Sequence, residues 1–233
     1  MASVNSHLKY VLAFPASERL ARNSDLLIEN LRSGTKTPQN KLGAEVANDF
    51  ADEVLKAMIS NSLDSGRMSK MNIAIMNQLV KLIQKSVHVL INKVVAKLNN
   101  EQLQPLADYI VETRLELETE EGTQTHIVCP LGDEYVALFQ NIEQAVEKGD
   151  KNQQVPHVGR FIDAMSSASI AHFFKKPTGL MELGMLSRKI VDTSYVAVKK
   201  GTAAAVRSLV KNMNGDDVVF FLEDTRQKIV KVN

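Results

Sequence analysis

Tryptophan is absent and cysteine occurs once, as Cys129, so no intrachain disulfide can form and the fold must be held by buried side chains. A single thiol suits a reducing compartment. The first nine residues lack the charged start and long apolar stretch of a secretory signal, so a cytoplasmic location is expected. Long apolar runs are missing too. The most apolar segment, 73–98, is interrupted by Lys81, Lys85, Lys93 and Lys97, whereas a membrane span needs about 20 mostly apolar residues. No P-loop, dinucleotide fingerprint, EF-hand, G-x-S-x-G or H-E-x-x-H string occurs, so no cofactor or metal is expected. No repeat recurs at a constant interval, against a tandem helical solenoid.

What is present is apolar periodicity at three- and four-residue steps, the signature of helices with one buried face. Leu20, Leu27 and Leu31 mark a helix that ends near Ser33-Gly34. Thr37-Pro38 opens a second, striped by Leu42, Val46, Phe50, Val54 and Met58 and ending within 61–66. Ser69 caps the longest, in which Met76, Val80, Ile83, Val87, Leu90 and Val94 form a stripe widened by Leu79 and Ile91. So wide a face predicts a central helix contacting several neighbours. Further helices are expected from Pro105 to Leu117, after Gly132-Asp133, from Pro156, and from Leu183 through Met213, with a bend or stop at Gly201. Lys176-Pro177-Thr178-Gly179 predicts a chain break.

Between these, 118–125 predicts an exposed loop and 125–130 a brief β-like run. In the tail, 216–233, Val218-Val219-Phe220-Phe221-Leu222 favours a C-terminal hairpin, with a last helix capped by Asp216 as the alternative. The expected fold is therefore mainly α: an irregular multi-helix bundle of about eight helices around a long central one, with a possible small C-terminal β-hairpin. A single domain over 1–233 is expected, with a soft boundary in 118–133.

Charge of one sign is missing from whole segments although the net charge is only +1. Residues 65–100 carry six Lys or Arg and no acid; residues 101–150 carry 12 acids against two bases; residues 151–215 carry ten bases against three acids. Arg67, Lys70, Lys81, Lys85, Lys93 and Lys97 form a candidate polyanion-binding set. The competing, preferred expectation is that the basic blocks face the acidic one within the fold, since a pI near 7.8 is below that of a dedicated nucleic-acid domain. With lysine dominant and no aromatic interleaved in the first block, stacking and bidentate base reading have little material. A membrane-surface helix in 188–213 is a minor alternative.

Chemical candidates are few. His126 and Cys129 lie three apart, but one cysteine cannot build a structural zinc site, and an inert buried thiol is expected. Glu116, Glu118, Glu120 and Glu121 predict a solvated helix end rather than a cation site. Nine methionines, among them Met68, Met71, Met76, Met181 and Met185, are expected to be core filler, with an adaptable partner-binding groove as the alternative. The expected function is thus a non-enzymatic interaction or regulatory protein acting through a protein partner or self-association. A nucleic-acid-associated regulator using 65–100 and 175–211 is the alternative. An enzyme with a helical pocket near His126, Cys129 or Tyr135 is the third.

Overall fold

The computed structural model describes residues 9–60, 69–119 and 122–232. Arg67, Met68, Glu120, Glu121 and the expected helix end within 61–66 lie outside them. The chain runs β1 (Tyr10–Pro15), α1 (Glu18–Arg32), α2 (Asn40–Leu55), α3 (Lys70–Lys93), α4 (Asn100–Glu112), β2 (Arg114–Thr119), β3 (Gly122–Leu131), α5 (Asp133–Glu147), α6 (Val155–Ile170), α7 (Met185–Lys211), α8 (Gly215–Arg226) and β4 (Ile229–Lys231). A wide π-helical turn, Lys56–Ser60, extends α2; a second, Ala171–Lys175, carries α6 on into Lys176–Leu180.

Caps set the helix starts where side-chain oxygens can reach the unpaired amides. Ser17 accepts from Leu20 N at 3.1 Å, and Ser69 accepts from Asn72 N at 3.3 Å, as its position predicts. Asn99 and Gln102 close a reciprocal capping box on α4, so that helix begins ahead of Pro105, which sits inside it.

The four strands form an antiparallel sheet in the order β2-β3-β1-β4. Leu12 pairs with Cys129 and with Ile229, so the N-terminal strand is held between the middle and the end of the chain. Because alternate residues face opposite sides, Leu12, Phe14, Ile127, Cys129 and Leu131 pack into the helical core, whereas Val11, Ala13 and Val128 cluster on the other face with Leu115 and Val230.

This sheet corrects several expectations. Residues 114–119 are a strand rather than the end of a helix and a loop: Leu115 and Leu117 alternate with charged residues, which suits a half-buried pleat. The tail is not a hairpin. Asn214 and Asp217 build a capping box, and Val218, Leu222 and Thr225, three and four apart, bury one side of α8, leaving only 229–231 to pair with β1. The stop at 176–179 is absent as well. The π turn absorbs the change of direction and the break comes after Leu180.

Gly201 does not end α7. A Cβ built there would lie 2.0 Å from Leu82 Cδ2, so the glycine admits the side chain of α3 into the surface of α7. Asn72 Nδ2 donates to Asn212 O at 3.4 Å near one end of the pair, and Leu90 and Val94 cluster with Val191 and Val198 near the other. The two longest helices therefore run antiparallel in contact along their length. We expect Gly201→Ala to stabilise the Leu82→Ala background by about 1 kcal/mol, the ordinary helix-propensity gain, and to give no gain with Leu82 present. Chemical denaturation of the four-member cycle checks this.

Candidate functional site

Apolar stripes from α2, α3, α4, α6, α7 and α8 converge under β1, and their side chains do not meet at the centre. They leave a cavity of about 300 Å³. On α3 the residues lining it include Met76, Leu79, Ile83, Val87, Leu90 and Ile91, the stripe on which the central-helix expectation rested. Seven of the eight phenylalanines line it, as do Met58, Met76, Met165, Met181 and Met213. Both π turns contribute wall residues: Met58 from one, Phe173 and Phe174 from the other. Extra-residue turns of this kind re-aim side chains and recur at functional sites. Phe173 is held by edge contacts with Phe50, ring centroids 5.5 Å apart, and with Phe14 at 6.4 Å.

Polar groups in the wall are mostly turned back onto the backbone. Thr113 Oγ1 donates to Ile110 O at 3.0 Å, Thr178 Oγ1 to Phe174 O at 2.8 Å, and the Tyr109 hydroxyl to His172 O at 2.8 Å. The charged side chains of the wall have protein partners of their own. Asp217 is committed to Asn72 Nδ2 at 3.1 Å and to the capping box of α8. Asp224 and Lys228, 20% and 19% exposed, form an ion pair at 2.6 Å.

Beside the cavity, His172 bridges helix and sheet. Its Nε2–H donates to Val128 O at 3.1 Å, so the unprotonated Nδ1, 2.9 Å from the Tyr109 hydroxyl, shares that hydroxyl's single proton with His172 O. Burial pushes the imidazole pKa down to about 4, with nearby Lys176 acting in the same direction, so it is neutral at physiological pH. Burial likewise raises the Tyr109 phenol above its ordinary range. Cys129 is buried with its Sγ 4.0 Å from Ser169 Oγ, and burial pushes the thiol up to about 12.

The candidates from sequence disperse. His126 and Cys129, three apart on one strand, face opposite sides of the sheet, and His126 Nδ1 is spent on Gln124 O at 3.0 Å. Tyr135 packs in the cluster under α5. Glu116 and Glu118 bond to Thr125 and Thr123 across the β2-β3 ladder. Among the described residues no three His, Cys, Asp or Glu side chains converge as metal ligands.

The lysines of the candidate polyanion set, Lys70, Lys81, Lys85, Lys93 and Lys97, are all exposed, and among the described residues none of them forms an ion pair. The preferred internal pairing of charge blocks is realised once among the described residues, between Lys176 and Glu112 at 3.1 Å. The reason is topological: α3 packs against α7 and α2, so the first basic block lies along the second. The cavity itself was missed from sequence, and the clustering of methionine and phenylalanine was its only trace.

No known protein family, curated protein sequence or solved structure matches this chain.

His172 carries a pH signature. Its folded-state pKa lies below the unfolded value of 6.5, so its contribution to stability is complete above pH 6.5 and is lost as pH falls towards 4. Up to about 3 kcal/mol should disappear over that window. His172→Gln should flatten this acid limb relative to the wild type, measured by urea unfolding at stepped pH. The Cys129 thiol should stay unreactive towards a disulfide reagent until the chain unfolds.

Proposed function

We propose that the protein binds an apolar small molecule in the central cavity and acts as its carrier or sensor. The observation that carries this is a void of about 300 Å³ walled by phenylalanine, methionine and aliphatic side chains. Apolar side chains that face an unfilled space lose packing contacts, at a cost of roughly 24 cal/mol per Å³ where the space is fully enclosed. A bound guest returns that loss and adds stability by mass action. Water finds few partners, because the wall hydroxyls of Tyr109, Thr113 and Thr178 already bond to protein and, among the described residues, Thr202 Oγ1 is the one buried wall oxygen without a partner.

Scaling from a cavity of about 150 Å³ that holds benzene, the guest has roughly twelve carbon atoms. It is uncharged over most of its length, since the one Asp–Lys pair in the wall is mutually satisfied and an ionised group elsewhere would be buried without a partner. Thioether walls that re-pack at small cost suit a guest of variable shape. The apolar faces from which a protein partner was expected are in large part the inner walls of this site.

Naphthalene and 1-decanol should bind saturably and raise the melting temperature. Ala51→Phe, placing a ring in the void from α2, should raise the melting temperature of the free protein by about 4–8 °C, because filling about 100 Å³ returns about 2 kcal/mol. The same variant should lose both ligands. Calorimetry and thermal unfolding check this; absence of saturable binding, with Ala51→Phe less stable than wild type, rejects the proposal.

A further inference from the structure

The antiparallel contact that walls the cavity also joins the two basic blocks into one outward surface. Beside the Leu82–Gly201 contact, where Leu82 is only part-exposed, helical spacing puts Met71, Lys85 and Val89 on the outer side of α3, and all three are exposed. On α7 the exposed outer stripe runs Leu186, Lys189, Val196, Lys200, Arg207 and Lys211. No acidic residue occurs on α3 and only Asp192 on α7, at the margin of this stripe one turn from Lys189 and Val196, against the five basic residues the face carries. Among the described residues, none of Lys85, Lys189, Lys200, Arg207 and Lys211 is ion-paired.

Among the described residues, six of the nine exposed large apolar ones lie on these two helices, with Met185 92% and Leu186 76% exposed. Phosphates of a nucleic acid reward the charge but not the exposed methionine, leucine and valine, and no aromatic side chain stands on the face to stack a base. A surface that mixes unpaired lysine and arginine with protruding aliphatic groups matches the interface of an anionic bilayer, where apolar side chains enter the headgroup region and cations meet lipid phosphates.

The geometry points to the outer face of α3 and α7 as a docking surface for an anionic lipid bilayer. Binding to the membrane surface stands independently of what the cavity holds. Each basic residue near such a surface contributes about fivefold to binding, so the face is a salt-sensitive, reversible anchor.

The test is co-sedimentation of the full chain with vesicles of phosphatidylcholine alone and of phosphatidylcholine and phosphatidylglycerol in equal parts. We expect binding to the anionic vesicles only, weakening as salt rises. Lys200→Glu/Arg207→Glu should weaken it by at least about twenty-five-fold, the product of two lost contributions. Lys36→Glu/Lys41→Glu, an equal charge change away from this face, should have far less effect. Met185→Ser/Leu186→Ser, at positions too exposed to affect folding, should reduce vesicle binding without altering the melting temperature. Three results overturn the proposal: no binding to anionic vesicles at low salt, equal loss in the two charge-reversal variants, or tight binding of a DNA or RNA duplex by a protein that ignores the vesicles.

Discussion

The seating of Leu82 on Gly201 is the contact on which the rest of the molecule turns. It brings the two longest helices close enough to pack along their length, although both carry positive charge. The apolar seam must outweigh that repulsion. It does so because the lysines sit on the solvent side, where like charges are screened over about 8–10 Å, while Leu79, Leu90, Val198 and Val206 point inward. Two properties follow together: an inner wall for the cavity, and an outer surface on which the positive charge of both blocks accumulates.

The centre stays open for a related reason. With α3 and α7 locked, α2 is held at one side by His88 and Gln84, which reach Asp52 at 2.9 and 3.3 Å. α6 is held by the fit of Gly159 against Val210, where a Cβ would meet Cγ2 at 2.7 Å. His172 pins the following turn to the sheet through Val128. Each contact ties a helix to a neighbour at its flank, away from the central cavity. A core that could relax would collapse part of the cavity and recover some of the 24 cal/mol per Å³ that emptiness costs.

How much of this was legible depends on whether the signal was local. The caps at Ser17 and Ser69 and the α3 stripe are read directly, because side chain, amide and period all lie within a few turns of one helix. β1 escaped because Tyr10–Pro15 is too short for periodicity to separate strand from helix, and its partners lie more than 100 residues away. β2 carried the alternation Arg-Leu-Glu-Leu-Glu, but Leu117 also falls seven residues after Ile110, so both periods fitted until β3 decided. The tail went astray because Val218 to Leu222 has strand-like composition; the capping box of Asn214 and Asp217 outweighs that preference. The cavity was the least legible feature, since a void is defined by where six helices fail to touch, and no segment carries that alone.

The same reasoning separates the charged surface from a solvated helix face. Lys85 and Lys200 belong to segments more than 100 residues apart, and each alone is an ordinary wet position. Their meaning changes once the Leu82–Gly201 contact brings their helices together, with Asp192 the one acid on either helix. Folding concentrated charge that it had the means to neutralise, since twelve acids lie in 101–150 and only Glu112 reaches a basic residue of the second block among the described residues. Self-repulsion of that kind lowers stability. Its persistence beside an apolar cavity, another feature that lowers stability, is intelligible where both are relieved by binding, one by a guest within and the other by an anionic surface outside.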